Sequence, residues 1–182
     1  LSRRADLNMD VSDGSILALH HASETGSFEM VRAITASKSV NLDSLNDSGY
    51  TPLHVALPHQ NIVQHLVEHR ANVDAISRDD GSTALLIAAK SGLIKSVNVL
   101  LAARANVNVP DNEGVTPLWV AAFAQNLDLV TALLRIESIK VNAKSANWDT
   151  PLWAAVLSAP QTTKPSVSKD NYQVRLRAPT TW

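Results

Sequence analysis

The chain has 182 residues, of which 16 are basic and 17 acidic, and its formal net charge is −1. This balance argues against a nucleic-acid or membrane-surface binder, while a hydrophobic content of 45% is sufficient for a folded core. The absence of cysteine excludes disulfides and thiolate metal sites, and no apolar run in the sequence is long enough to cross a bilayer.

One short motif recurs along the chain. Its first copy, Leu17-Ala18-Leu19-His20-His21-Ala22, is degenerate, and its second, Thr51-Pro52-Leu53-His54-Val55-Ala56, is the most complete. Three further copies begin at Thr83, Thr116 and Thr150, so that successive copies lie 32 to 34 residues apart. A fixed period of this size predicts a solenoid of stacked repeats.

Four of the five copies begin with Thr, and three of these continue with Pro, which are features of a helix start. Thr is a favourable N-cap, Pro suits the first helical position, and Leu and Ala follow at helical spacing. Gly49, Gly81 and Gly114 each stand two residues before a motif Thr and permit a turn with positive φ. A second apolar run follows the first helix in the first four repeats, so each of these is predicted to be a helix pair that stacks on the next repeat.

With these motifs, residues 1–159 resemble the ankyrin-repeat family. The resemblance implies an all-α solenoid of stacked antiparallel helix pairs with β-hairpin-like loops. Alignment of the motifs divides this domain into the end of a preceding repeat (1–11), four repeats (12–44, 45–77, 78–110 and 111–144) and a truncated repeat (145–159). We therefore expect a fragment of a longer array.

The C-terminal tail, residues 160–182, is rich in Thr, Ser, Pro and basic residues and is predicted to be flexible. Within it, Tyr172-Gln173-Val174-Arg175-Leu176-Arg177 alternates apolar and polar side chains, as an edge strand would. This alternation leaves open a second interpretation, in which a short segment docks on the last repeat or on a partner.

Two departures from the repeat pattern predict local irregularities. Repeat 45–77 lacks two residues between its helices, which we expect to shorten the start of its second helix, and Pro58 should perturb the end of its first. Arg4, Arg70 and Arg104 stand where the family usually has Gly after the second helix. Either the backbone differs there, or the fold tolerates a left-handed residue at a cost of ~1–2 kcal/mol.

One catalytic pattern competes with a binding role. His65-Leu66-Val67-Glu68-His69 matches the H-x-x-E-H motif of zinc hydrolases, and a helix would place both His on one face. The repeat alignment puts both at variable positions and offers no third ligand, so we expect a solvated pair. His20 and His54 occupy the motif His position, where the resemblance implies that they brace the turn. We predict no catalytic residue, cofactor or metal.

The resemblance implies a protein-binding surface made of the hairpin tips and the exposed faces of the first helices. Transferred position by position, this surface comprises Tyr50, His59, Asp79, Asp80, Ser82, Lys90, Asn112, Glu113, Val115, Phe123, Asn147, Trp148, Asp149 and Leu157.

Half of the eight aromatic residues fall within 35 residues, at Trp119, Phe123, Trp148 and Trp153. Trp119 and Trp153 replace the motif His, and we expect them to lie side by side and half-buried. Phe123 and Trp148 fall at outward positions, where aromatic side chains are typical of binding hot spots.

The predicted function is a non-catalytic protein–protein interaction scaffold, a monomeric module that binds one protein partner. The alternative is a targeting or regulatory arm of a larger enzyme or membrane protein. We expect a cytoplasmic location, with the nucleus as the alternative, because residues 1–10 lack the apolar segment of a signal peptide. No binding to nucleic acid and no membrane insertion are expected.

Overall fold

The computed structural model describes residues 18–37 and 40–159; the predictions for Arg4, for residues 1–17 and for the tail lie outside this part of the chain. Within these ranges the chain forms helices and no strand, which confirms the predicted all-α fold. The helices are α1 (Ala18–Glu24), α2 (Phe28–Thr35), α3 (Pro52–Val55), α4 (Gln60–Glu68), α5 (Ala84–Lys90), α6 (Ile94–Ala102), α7 (Pro117–Phe123), α8 (Leu127–Leu134) and α9 (Pro151–Ser158).

The helices pack as two rows. The first helices of the repeats form one row, in which α1 contacts α3, α3 contacts α5, α5 contacts α7 and α7 contacts α9. The second helices α2, α4 and α6 form the other row, and α8 packs on α7. This arrangement is the predicted solenoid of stacked helix pairs, and α9 is the last helix in the described part of the chain.

The core lies between the two rows. Leu53, Leu85 and Leu118, the motif leucines, are buried, and the motif alanines that follow them are fully enclosed. From the second row, side chains such as Leu66 and Leu100 complete the core. Small Ala side chains let neighbouring first helices approach closely.

The predicted N-caps are confirmed. The hydroxyl oxygens of Thr51, Thr83, Thr116 and Thr150 each accept a hydrogen bond from the backbone N–H three residues later, at 3.3–3.4 Å. These bonds satisfy donors that the first helical turn leaves unpaired, so the repeated Thr fixes where each first helix begins.

The short spacing in repeat 45–77 acts on its first helix, not on its second. Helix α3 has only four residues, whereas α5 and α7 have seven, and α4 keeps nine residues, as α6 does. The expectation of a shortened second helix is therefore wrong. Pro58 explains the outcome, because proline cannot continue α3 and disfavours helical backbone at Leu57.

The backbone after the second helices keeps the left-handed conformation despite the arginines. Arg70 has φ 67° and Arg104 has φ 60°. After α4, Ala71 N–H donates to the Leu66 carbonyl and Arg70 N–H to the Val67 carbonyl, both at 3.0 Å. This pair of bonds is a Schellman motif, and the hydrogen bonds to the carbonyls at the helix end offset the strain of the left-handed residue.

Candidate functional site

The loops between repeats form a continuous row of tips. Arg78 N–H donates to the Gly49 carbonyl at 3.1 Å, and Asn112 N–H donates to the Asp80 carbonyl at 2.8 Å. The last of these bonds, from Ala146 N–H to the Glu113 carbonyl, is 2.7 Å long. Backbone bonds between successive tips hold neighbouring loops in register, so side chains on the tips have fixed relative positions.

A polar network stabilises the tip of the third repeat. Lys90 Nζ donates to Asp80 Oδ2 at 3.1 Å, to Ser82 Oγ at 3.1 Å and to Asp111 Oδ2 of the next repeat at 2.8 Å. Partial burial alone would raise the pKa of Asp80, but hydrogen bonds from Ser82, Ser77 and Lys90 outweigh it and hold this pKa well below its usual range. Lys90 therefore joins two adjacent loops by charge-assisted hydrogen bonds.

Two members of the transferred surface point inward. Ser82 is 0% exposed, and its hydroxyl donates to Asp80 Oδ2 at 2.6 Å. Asp149 is 7% exposed, and its carbonyl accepts from Ser145 N–H at 3.0 Å. Both departures have the same cause: these residues sit at the base of the loop beside a capping Thr, where the loop packs on the helices.

The other members of that surface lie at or near the surface. Asp79, Lys90, Asn112, Glu113, Phe123, Asn147 and Trp148 are exposed, and Tyr50, His59, Asp80, Val115 and Leu157 are half-buried. His59 is already engaged within the fold, since its Nε2 donates to the Glu24 carbonyl at 3.0 Å. Its ring packs so closely on Gly26 that a Cβ there would lie 2.6 Å away.

The aromatic residues of the last two repeats differ in exposure. Trp119 and Trp153 are half-buried, and Trp119 stacks on Phe123 with ring centroids 5.1 Å apart and planes inclined by 12°. Phe123 itself is exposed at the end of α7. The stack fixes the Phe123 ring on the surface of its helix, as the four-residue spacing predicts.

Trp148 has an unusual backbone for a large residue. It is 59% exposed and has φ 64°, in the left-handed region that non-glycine residues rarely adopt. It stands two residues before Thr150, the position that Gly49 and Gly114 occupy in their repeats. Trp148 N–H also donates to the carbonyl three residues back at 2.9 Å, as both of those glycines do. That spacing was visible in the sequence, but sequence reasoning treated Trp148 only as an outward aromatic residue.

The neighbouring loops explain why the earlier repeats need glycine at this position. A Cβ on Gly49 would lie 2.5 Å from Arg78 Cβ, and a Cβ on Gly114 would lie 3.0 Å from Ser145 Cα, because the next loop packs against each. No further loop covers Trp148 within the described ranges, and its ring instead lies 4.8 Å from Lys144 Nζ in a cation–π contact. The side chain is sterically tolerated because the position faces outward.

The histidines of the H-x-x-E-H pattern are engaged with their own helix and its neighbour. His65 Nε2 lies 2.7 Å from Thr35 Oγ1 on α2, and the two imidazoles are 4.0 Å apart. His69 Nδ1 donates to the His65 carbonyl at 2.8 Å. Burial and the neighbouring His69 lower the pKa of His65. Across residues 18–37 and 40–159, no group of three or more His, Asp or Glu side chains is placed to hold a metal ion.

The motif histidines, His20 and His54, form hydrogen bonds to loop backbone, as the bracing role implied for them requires. His54 Nδ1 accepts from Thr51 N–H at 3.1 Å, and His54 Nε2 donates to the Ser82 carbonyl of the next repeat at 3.3 Å. His20 Nε2 donates to the Tyr50 carbonyl at 2.8 Å. Desolvation by burial lowers the pKa of both His20 and His54, against the opposing effect of these backbone hydrogen bonds.

Comparison with known proteins places most of the chain in one repeat family. A family model described as ankyrin repeats (3 copies) matches residues 3–77, 60–145 and 85–162. The three matches overlap, so together they extend from the first repeat to the last helix.

Several curated proteins share this region. The B-cell lymphoma 3 protein homolog of Mus musculus is 34% identical over 143 residues, which cover 76% of this chain and 32% of that protein. Neurogenic locus notch homolog protein 1 of Xenopus tropicalis is 31% identical over 140 residues, with coverages of 76% and 6%. NF-kappa-B inhibitor zeta of Mus musculus is 32% identical over 145 residues, with coverages of 75% and 19%. The chain thus spans a third or less of the length of these relatives.

None of the helices between Ala18 and Ala159 is long and apolar enough to cross a membrane.

Proposed function

The chain belongs to the ankyrin-repeat family, and from this premise we propose that it is a non-catalytic, monomeric module that binds one protein partner on its concave surface. Ankyrin repeats are generally protein-interaction modules. The concave surface combines the row of loop tips with the exposed faces of the first helices. It contains the residues of the predicted protein-binding surface except Ser82 and Asp149, which are buried.

The backbone of Trp148 is the observation that carries the proposal. A left-handed non-glycine residue costs of order 1–3 kcal/mol, and such strain clusters at functional sites. Gly at this position would remove the strain, and the same loop uses Gly in three earlier repeats (Gly49, Gly81 and Gly114). The exposed indole is therefore maintained at a cost in folding free energy, which a role in binding explains.

The rest of the aromatic surface is consistent with this role. Phe123 is exposed and held by its stack on Trp119, so it loses little side-chain freedom when a partner covers it. Aromatic residues are enriched at hot spots because one ring removes a large apolar area from water. The loop tips add Asp79, Asn112, Glu113 and Asn147 as exposed polar side chains.

A second candidate function is a targeting or regulatory arm of a larger protein. It is favoured by the lengths of the relatives, in which the matched region makes up 32%, 6% and 19% of the whole chain. The binding mechanism is the same in both cases; the difference lies in what else the parent protein carries. A cytoplasmic location, or alternatively a nuclear one, fits either function.

The experiment compares capture of partners from a lysate of the source cells by the full chain and by Trp148→Gly. This variant should unfold at the same or a higher urea concentration than the parent, because it relieves the backbone strain. Trp148→Gly should nevertheless fail to capture the specific partner that mass spectrometry identifies with the parent chain. Phe123→Ala should capture less of this partner than the parent does. Met30→Ala, an exposed apolar residue of α2, is the matched control and should retain the partner.

A partner retained equally by Trp148→Gly and Met30→Ala would contradict the assignment of Trp148 to the binding surface. Capture of no specific protein by the folded parent chain would count against the interaction function itself.

A further inference from the structure

The last two helices border an apolar groove that no described residue fills. Its volume is about 700 Å³, and its lining includes Leu127, Val130 and Leu134 of α8 and Leu152 and Ala155 of α9. Leu127 is 77% exposed and Leu152 is 75% exposed. Exposed leucines at this density, side by side on two helices, mark a surface that another group covers.

The repeat pattern identifies what the groove is. Leu152 is the motif leucine of the fifth repeat, equivalent to Leu85 and Leu118, which are 0% and 5% exposed. In the third and fourth repeats the first helices pack against their own second helices, α5 against α6 and α7 against α8. Helix α9 has no such companion in the described part of the chain. The groove therefore corresponds to the position beside the first helix that α6 and α8 occupy in the preceding two repeats.

Trp148 argues against a further repeat of the usual kind as the occupant. At Gly49 and Gly114 the following loop lies where a Cβ would be, at 2.5 Å and 3.0 Å. Trp148 occupies the equivalent backbone position and carries a full indole. A sixth loop stacked in the same arrangement would collide with that side chain, so the groove needs a covering segment that does not bring a standard loop with it.

The chain itself offers such a segment in Tyr172-Gln173-Val174-Arg175-Leu176-Arg177, which lies outside the described residues. Twelve residues separate Ala159 from Tyr172. At up to ~3.3–3.6 Å per residue they reach roughly 40 Å, more than the ~12 Å length of α9. Attachment to the same chain gives a local concentration on the order of millimolar, which favours an intramolecular contact over binding of a free partner.

The charges of the two parts are complementary. Residues 160–182 carry four basic side chains and one acidic, whereas residues 1–159 carry twelve basic and sixteen acidic. The tail is thus positive and the repeat domain negative, which draws the tail toward the domain. Arg175 and Arg177 alternate with the apolar residues of the segment in the sequence, so an extended segment that buried the apolar residues would carry both arginines on its opposite face.

We propose that the C-terminal segment covers this groove, with the side chains of Tyr172, Val174 and Leu176 seated against Leu127 and Leu152. In this position the segment takes the place that α6 and α8 occupy beside α5 and α7, and it shields the exposed leucines of α8 and α9 from water. This inference does not depend on the partner-binding role of Trp148, since the groove lies on α8 and α9 and not on the loop tips.

Backbone hydrogen exchange in α9 of the full chain tests the proposal. The triple variant Tyr172→Ser/Val174→Ser/Leu176→Ser should speed exchange in α9 by roughly tenfold, because removing the cover lowers the local cost of opening the helix. Asn171→Ser/Gln173→Ser changes polar residues of the same segment and should leave exchange as in the parent chain. Leu152→Ser should also speed exchange, and the triple change should add little in its background.

Equal exchange in α9 for the triple variant and its control would overturn the proposal. Protection that rises with protein concentration, together with dimers in sedimentation, would assign the groove to a second copy and would also overturn it. Met30→Ser, which alters an exposed apolar residue far from the groove, controls for a general effect of losing surface hydrophobicity and should not change exchange in α9.

Discussion

The hydroxyl of Ser96 on α6 donates a hydrogen bond of 2.6 Å to the backbone carbonyl of Leu57, beyond the end of α3 in the preceding repeat. Both residues are buried. Since α3 stops at Val55, the Leu57 carbonyl lies where a longer helix would have continued, and a side chain from the next repeat supplies its donor. The shortened helix is thus compensated by a contact between repeats.

Replacement of Ser96 by Ala should therefore destabilise the fold. The buried carbonyl would lose this donor, which costs about 1–3 kcal/mol of unfolding free energy. Urea denaturation of the full chain measures the effect. Ser91→Ala, at an exposed position after α5, is the control and should stay within about 0.5 kcal/mol of the parent. Equal stabilities of the two variants would show that the Ser96 bond has no net value.

Replacement of Arg104 by Gly should stabilise the protein. The left-handed backbone at φ 60° costs a non-glycine residue ~1–2 kcal/mol, and glycine avoids this cost. Glycine also increases the conformational entropy of the unfolded chain, which offsets part of the gain, so the unfolding free energy should rise by about 1 kcal/mol. Arg135→Gly is the matched control, because Arg135 also follows a second helix but has φ −73°. It should lower stability in the same denaturation assay. A loss of stability in both variants would contradict the strain at Arg104.

Local chemistry made much of the fold predictable from sequence. The Thr N-caps depend on a side chain and a backbone N–H three residues apart, and all four form as expected. The motif leucines and alanines are buried because the repeat period fixes which face they occupy. The sequence did not decide whether the backbone at Arg70 is left-handed. The preference of this conformation for glycine argues against it, whereas hydrogen bonding at the helix end argues for it.

Contacts between repeats set the limit of that prediction. Repeat 45–77 is two residues shorter between its helices than the others, and either α3 or α4 could be shortened as a result. Which helix is shortened depends on how Ser96 and the neighbouring helices pack around Leu57, and the spacing of residues in the sequence does not reveal this packing. Ser82 was assigned to the surface by family position, but its hydroxyl turns inward to Asp80. The groove between α8 and α9 became recognisable only from the exposure of Leu152, a motif leucine that the repeat pattern alone places in the core.

Acidification from pH 7 to pH 5 should destabilise the protein through His54. Burial lowers its pKa in the folded state below the ordinary value of 6.5, so the unfolded chain binds the proton first. The contribution is fully present above about pH 6.5 and is lost as the pH falls toward the folded pKa. His54→Leu, which copies Leu86 of the next repeat, should reduce the slope of unfolding free energy against pH.

His21→Gln, a change at an exposed histidine, is the control for His54 and should keep the slope of the parent chain. An unchanged slope in His54→Leu would mean that the burial of this imidazole does not affect its titration. His20 is also buried, so some pH dependence should remain in the single variant.

Below pH 4 the network around Asp80 should contribute to the loss of stability. Partial burial alone would raise the folded-state pKa of Asp80, but hydrogen bonds from Ser82, Ser77 and Lys90 outweigh burial and hold this pKa below the ordinary 3.8. The stabilisation is complete above about pH 4 and declines as the unfolded chain becomes protonated below it. Asp80→Asn should therefore be less stable than the parent at pH 7, and this difference should shrink toward pH 2. Asp47→Asn, at an exposed loop position, should show no such change. A difference that stays constant over this range would show that the Asp80 carboxylate contributes through shape and not through its charge.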